Sequence, residues 1–238
     1  MFRILLVLLA LFALPSQAAE LQPFSASYTA DFDRAPVSGA AVRSLKALDN
    51  GRWELSFEAS MPLASLREVS TFRVENGTVL PMTYRFERRV VAKSKQVEHD
   101  FDWTEGQVRG SDRGEPVRLA LSRGMQDKGT YQLALQADVA AGEQGMSYQV
   151  IDGDEIEVYD FRVLGEERVE TRMGSINAIK VERVRDPAQS SRKTVLWFAK
   201  DWDYLVVRLQ QVEKDGKEYQ IMLKDGTVNG RTVEGLKD

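Results

Sequence analysis

The chain has 238 residues with no cysteine and one histidine, and 32 basic against 36 acidic side chains give a formal net charge of −4. The absence of cysteine excludes disulfides, thiol catalysis and thiolate metal sites. The mild acidity argues against nucleic acid as a partner. The length suits one β-rich domain with a sizeable core.

The first residues have the pattern of a secretory signal peptide. A basic start is followed by an apolar run from Ile4 to Leu14 and by small residues at Ser16 and Ala18. The run is too short for a bilayer span, which needs ~20 residues, and the sequence predicts no transmembrane segment. We expect a signal peptide over 1–18, one β-rich domain over 19–226 and a frayed polar C-terminal tail over 227–238.

Alternating apolar and polar residues predict strands through the first half of the chain, starting with Phe24 to Phe32. Asp49-Asn50-Gly51 and Asn76-Gly77 predict tight turns between such strands. Pro81 should lie at an edge or a bulge because proline cannot donate to a strand ladder. Gly110 to Pro116 is predicted to be a loop.

One helix is predicted, over Tyr131 to Ala141. This segment contains neither glycine nor proline and is rich in Ala, Leu and Gln. Asp127 or Thr130 is the expected N-terminal cap, and Gly142 ends the helix. We expect the helix to pack against the sheet and plug one end of a barrel.

Strand patterns resume after the helix, with turns expected at Gly165 and Gly174. The clearest meander joins strands over Arg192 to Lys200 and Tyr204 to Glu213 to a third strand through Asp215-Gly216. The predicted fold is therefore mostly β, an antiparallel barrel or half-barrel of meanders and hairpins with one packed α-helix.

Several segments together resemble the exported domain-of-unknown-function family 3108 of Gram-negative bacteria. These segments read TFRVENGTVLPMTYRFERR, GMQDKGTYQLALQ, RMGSINAIKVERVR and TVLWFAKDWDYLVVRLQQ. Val206 departs from the family, whose members commonly have proline there. The resemblance implies a periplasmic location and an antiparallel β fold similar to the half-barrels of lipoprotein carriers, and it carries no catalytic residues.

Three tryptophans on apolar strand patterns, Trp53, Trp103 and Trp197, are candidates to line a ligand cavity in such a barrel. His99, the single histidine, joins them because it alternates with polar residues beside Val97 and Phe101. Filling the core is the commoner use of such side chains, so both interpretations stay open.

A second candidate site is a partner-binding surface. Arg85, Arg88 and Arg89 belong to the densest basic run of the chain, which would suit an anionic group or an acidic partner. Basic residues on an exposed strand also protect a sheet from edge-to-edge aggregation. Trp202, between two aspartates at a hairpin tip, is the aromatic candidate for the same role, or folds back over the sheet.

Paired carboxylates offer a catalytic alternative. Asp100 and Asp102 share one strand face, and Glu54 and Glu58 nearly do, as acid and base residues of a glycosidase would. A solvated strand face commonly carries such acids. Asp152-Gly153-Asp154-Glu155 supplies oxygen ligands for calcium, although it lacks the spacing of an EF-hand loop and more simply forms a turn.

The sequence therefore predicts a periplasmic, non-enzymatic binding or cell-envelope maintenance factor, with a lipid or other apolar molecule, or an envelope protein, as its partner. It predicts no catalytic residues, metal or cofactor. The alternatives are an envelope-polymer hydrolase and a scaffold that docks a partner protein through its strand edges.

Overall fold

A computed structural model describes residues 21–32, 39–91, 93–188 and 190–236 of the chain. The predicted signal peptide lies outside these residues. Strands make up 68% of the structure, and one α-helix, α1 (Tyr131–Ala141), interrupts them in the described part of the chain. The period-two patterns of the sequence thus form the strands they predict.

The strands in chain order are β1 Phe24–Phe32, β2 Gly39–Ala47, β3 Arg52–Met61, β4 Ala64–Glu75, β5 Thr78–Val90, β6 Lys93–Asp102, β7 Gln107–Asp112, β8 Glu115–Ala120, β9 Gln126–Asp127, β10 Gly145–Asp152, β11 Glu155–Thr171, β12 Gly174–Val184, β13 Lys193–Ala199, β14 Leu205–Val212, β15 Glu218–Val228 and β16 Arg231–Thr232.

All of these strands belong to one sheet. The strand order is β8-β7-β6-β5-β4-β3-β2-β1-β15-β14-β13-β12-β11-β10-β9, with β16 beside β15. Every pair is antiparallel except β9 with β10. The sheet is not closed by strand pairing. The predicted antiparallel half-barrel with one helix is confirmed.

Side-chain hydrogen bonds instead join the β9 end of the sheet and the nearby β10–β11 turn to strands β4, β5 and β6. Ser70 on β4 donates to Asp127 Oδ1 over 2.7 Å, and Gln126 Nε2 donates to the Val79 carbonyl over 3.0 Å. His99 Nε2 lies 2.8 Å from the Gly153 carbonyl oxygen at the β10–β11 turn. The sheet therefore curls around a concave face that carries the core.

Helix α1 begins beside this junction and ends at Gly142, as predicted. Asp127, rather than the Thr130 side chain, caps the helix, because Asp127 Oδ1 accepts the backbone N–H groups of Gly129 and Thr130, each over 2.8 Å. Three apolar side chains of the helix are buried in the sheet's core: Leu133, Leu135 and Val139. The helix packs on the sheet, as expected.

The predicted loop from Gly110 to Pro116 is wrong, because β7 runs through Gly110 and β8 includes Pro116. Only a tight turn separates these strands. A Cβ on Gly110 would lie 1.7 Å from the Glu98 carbonyl oxygen, so this glycine permits close strand pairing. Pro116 is tolerated because β8 is the edge strand of the sheet.

The predicted turn at Gly165 is also wrong. Strand β11 continues through it from Glu155 to Thr171, and the register with β12 shifts between Val163 and Gly165. Gly165 has a φ of 129°, a conformation that side chains disfavour, and it serves a β-bulge. Within this alternating pattern, Gly165 therefore indicates a β-bulge and not a turn.

The C-terminal segment is not the frayed tail that the sequence suggested. Strand β15 extends to Val228, and Val233 is completely buried. The backbone N–H groups of Gly235 and Leu236 donate to the carbonyls of Met173 and Ser175, each over 2.7 Å. Residues up to 236 therefore pack against the β11–β12 turn.

Candidate functional site: a polar cluster on the concave face

One row of side chains crosses the concave face from β2 to β5. The register aligns Arg43 with Phe57, Phe57 with Glu68 and Glu68 with Phe86. Directly opposed residues of antiparallel strands share a face. The row therefore places one cation and one carboxyl group between aromatic rings inside the half-barrel.

Arg43 is the unusual member of this row. Its side chain is 4% exposed, and neither Nη1 nor Nη2 has a hydrogen-bond partner among the described residues. The guanidinium carbon lies 5.4 Å from the centroid of the Phe24 ring. Burial lowers the pKa of Arg43, yet a guanidinium stays protonated in proteins. An uncompensated buried cation is costly.

Glu68 is the nearest acidic group in the row. Tyr84 donates its hydroxyl to Glu68 Oε1 over 2.7 Å. Burial raises the pKa of Glu68, while this hydrogen bond and the charges of Lys128 and Arg43 lower it. Protein surrounds the carboxyl group, yet part of the residue's surface stays accessible. Glu68 therefore has a buried carboxyl group on a residue that keeps some accessible surface.

Tyr131, the first residue of α1, is the third member of the cluster. Its ring stacks on Phe161 at 5.8 Å and meets Tyr159 edge-on at 5.1 Å. Burial raises the pKa of Tyr131 to about 12, and the charges of Arg43, Glu68 and Arg183 also act on the hydroxyl. This hydroxyl has no hydrogen-bond partner in the part of the chain that the structure describes. It is an available donor.

Asp127 is the second buried carboxyl group. Its Oδ1 accepts hydrogen bonds from Ser70 and from the helix N-terminus, whereas Oδ2 is buried without a partner among the described residues. Burial raises its pKa to about 6, although the hydrogen bonds from Thr130, Ser70 and Gly129 favour the charged form. Its geometry is that of a helix cap.

A second set of polar groups lies around Tyr159, whose ring contacts Tyr131. Lys128 Nζ contacts both carboxylate oxygens of Asp152, at 2.8 and 2.9 Å, and Tyr159 donates to Asp152 Oδ2 over 2.8 Å. Burial alone would raise the pKa of Asp152, but Lys128 outweighs it and the pKa is lowered. Arg183 lies 3.3 Å above the Tyr159 ring. Lys128, Asp152 and Tyr159 therefore satisfy one another, whereas Arg183 Nε is buried without a partner among the described residues.

The three remaining groups, Arg43, Glu68 and Tyr131, influence one another electrostatically without forming hydrogen bonds to one another. Together they present donors and one carboxyl group to the space between them. Such an arrangement suits the polar end of a bound molecule.

A family model described as "Protein of unknown function (DUF3108)" matches residues 27–224 of the chain. The chain belongs to this family. No curated protein matches it. No helix in the described residues is long and apolar enough to cross a bilayer.

Two solved structures are similar to the DUF3108 chain to different degrees. A beta-barrel-like protein of domain of unknown function DUF1849 from Brucella abortus is 12% identical, with a TM-score of 0.62 over 88% of this chain and 99% of that one. A DUF1329 family protein from Desulfovibrio piger, 14% identical over 93% and 90% of the two chains, gives a TM-score of 0.27. The first likeness shows the fold alone.

The predicted cavity residues lie in different clusters of the core. Trp197 is 2% exposed and packs in the same core cluster that the half-buried Trp53 contacts. Trp103 lies just beyond β6 in a turn, packs with a different cluster and donates its indole N–H to the Pro81 carbonyl over 2.6 Å. Arg208 and Lys180 lie over the Trp197 ring at 4.5 and 5.2 Å.

His99 is completely buried between Tyr84, at 5.7 Å, and Phe101, at 6.3 Å. Because the Gly153 carbonyl can only accept, Nε2 carries the proton and Nδ1 is left without a partner among the described residues. Burial lowers its pKa. His99 is therefore a neutral residue that joins β6 to the β10–β11 turn.

The candidate partner-surface residues fall in two places. Arg85 pairs with Asp100 at 2.6 Å on β5, and Arg88 and Arg89 are exposed further along that strand. Arg89 lines a groove of about 380 Å³ on β2 to β5. Trp202 lines a separate groove of about 320 Å³ and donates to the Glu234 carbonyl over 3.1 Å.

The predicted carboxylate pairs are engaged elsewhere. Asp100 binds Arg85, and Glu58 pairs with Arg67 at 3.0 Å on the surface. Asp102 Oδ1 accepts the backbone N–H groups of Thr104 and Glu105 in the following turn. The Asp152-Gly153 segment forms the β10–β11 turn, as the simpler interpretation predicted.

Sequence reasoning missed the polar row. The available signal was a charged residue within an alternating apolar set, because Arg43 falls at period two between Ala41 and Leu45, and Glu68 between Leu66 and Ser70. A charge at an inward position of a strand is a candidate functional residue, since burying it is unfavourable.

Proposed function

We propose that this DUF3108 protein is an exported, non-enzymatic binding protein of the cell envelope, and that the concave face of its half-barrel holds a small ligand. The observation that carries the proposal is the buried guanidinium of Arg43, whose terminal nitrogens have no partner among the described residues and which shares a row of the concave face with Glu68. Phe57 and Phe86 flank Glu68 in that row and are, like it, only half-buried. Partly accessible aromatic rings inside a curled sheet suit an apolar guest.

The absence of strand closure supports this function over a filled structural barrel. A half-barrel whose ends are joined by a few side-chain hydrogen bonds can widen more readily than one joined by a strand ladder. Tyr131 lies at the helix N-terminus, where a small displacement would enlarge the space.

Native mass spectrometry of the protein purified from a periplasmic extract tests the proposal. We expect a mature chain that begins at Ala19 or Glu20 and carries a co-purified small molecule, and an apolar fluorescent probe that binds stoichiometrically. A folded protein without a bound molecule that also fails to bind the probe would refute ligand binding. An intact chain with Met1 in the membrane fraction would refute export.

A further inference from the structure

We infer that the ligand carries an oxyanion, a carboxylate or a phosphate, which Arg43 binds inside the half-barrel. This inference rests on the proposed function and names the chemical class of its ligand. It also assigns Arg43 as the residue that selects that class.

The first step is the state of the guanidinium. Arg43 is 4% exposed, and both of its terminal nitrogens lack partners among the described residues. Buried arginines are ordinarily paired, because an ion without a counter-charge is strongly disfavoured in a protein interior. A guanidinium offers a planar fork that matches a carboxylate or phosphate with two parallel hydrogen bonds. An oxyanion would supply the two hydrogen bonds that the terminal nitrogens of Arg43 lack.

The second step is the environment. The groups whose charges act on Arg43 are Tyr28, Glu68 and Tyr131. Tyr28 already donates its hydroxyl to the Val206 carbonyl over 2.8 Å. Tyr131 is free to donate. The site therefore offers one cation and one further donor to an anion.

The third step is the neighbouring surface. Phe57 lies directly opposite Arg43 on β3, and Phe86 follows across Glu68. Both rings are only half-buried and lie along one line from the guanidinium. An amphiphile would place its anionic group at Arg43 and its apolar part over these rings.

Calorimetric titration of the mature protein tests the inference with decanoate, decyl phosphate, decanol and inorganic phosphate, each below its micelle concentration. We expect decanoate or decyl phosphate to bind at least tenfold more tightly than decanol. Inorganic phosphate alone should bind at least tenfold more weakly than decyl phosphate if the natural ligand is an amphiphile. Equal binding of both phosphates would identify a free anion as the ligand of Arg43.

Arg43→Met should abolish the preference for the charged compounds over decanol, and Arg43→Lys should retain part of it. The matched control is Arg118→Met, on the exposed face of the edge strand β8, which should leave all affinities unchanged. Arg43→Met should also raise Tm by about 2–8 °C, because it replaces a buried unpaired ion with an apolar side chain.

Equal affinity for decanol and decanoate would overturn the oxyanion and leave the proposed binding function intact. A folded Arg43→Met protein that keeps the wild-type preference would overturn the role of Arg43, as would a Tm several degrees below wild type, which would show that Arg43 stabilises the fold. Failure of all four compounds to bind would refute both the inference and the proposed function.

Discussion

The two walls of the half-barrel bury different kinds of side chain, although the strands of both have the same alternating sequence pattern. The C-terminal wall, β10 to β14, meets helix α1 with apolar side chains such as Val181, Leu196 and Phe198. The N-terminal wall, β2 to β6, carries Arg43 and Glu68 on its concave face. Polar groups of the C-terminal wall, such as Asp152 and Tyr159, have hydrogen-bond partners, whereas the terminal nitrogens of the buried Arg43 on the N-terminal wall have none among the described residues.

The largest expected effect is on the C-terminal wall. Leu135 of α1 is completely buried against it, so Leu135→Ala should lower the free energy of unfolding by about 2–5 kcal/mol through lost burial and a residual cavity. Urea unfolding measures the loss. The exposed Ala137→Ser on the same helix should change stability by no more than about 0.5 kcal/mol. A similar loss in both variants would contradict tight packing of the helix.

Asp127 links the two walls and should make their junction sensitive to pH. Its folded pKa, about 6, exceeds its ordinary value of 3.8, so the folded state binds more protons. The free energy of unfolding attributable to this group therefore falls as pH rises from well below 3.8 to well above 6, by about 3 kcal/mol in total. Asp127→Asn keeps an oxygen for the helix cap and should remove that fall.

The measurement is the difference in unfolding free energy between Asp127→Asn and wild type at successive pH values. This difference cancels the contribution of His99, whose lowered pKa acts in the opposite direction. The exposed Asp154→Asn is the control and should show no trend over the same window. A flat difference for Asp127→Asn would mean that the carboxyl group is ionised throughout.

A moderate effect is expected at His99, which joins β6 to the β10–β11 turn. His99→Phe keeps a ring between Tyr84 and Phe101 but removes the donor to the Gly153 carbonyl, at a cost of about 1–3 kcal/mol. His99→Gln retains a donor and should lose less in urea unfolding. Both variants should bind the fluorescent probe as wild type does. Loss of binding in a folded variant would give His99 a functional role.

The smallest effect is expected outside both walls, at Trp202. Trp202→Phe removes the hydrogen bond to Glu234 and weakens the contact with Arg231, 5.3 Å from the indole ring, and should cost about 0.5–1.5 kcal/mol. Hydrogen exchange should accelerate at the amides of Gly235 and Leu236 while those of β13 stay protected. Unchanged exchange at the C-terminal segment would show that Trp202 does not hold it.

Much of the fold was predictable because its determinants are local. Alternation defined the strands, and Asn50, with a φ of 61°, adopts the left-handed conformation that its turn requires. The helix bounds agreed because glycine and the cap act within one turn of it. The predictions at Gly110 and Gly165 were wrong because a glycine in a strand has the same local sequence signature as a glycine in a turn.

The sequence by itself determined most of the strands, the helix, the antiparallel class and the family. Only the tertiary structure decided which face of each strand is enclosed, and therefore that Arg43 and Glu68 lie in one row although 24 residues separate them. Side-chain direction follows from local geometry, but burial follows from the curl of the whole sheet. A charge becomes unpaired and buried only when distant strands and the helix close around it.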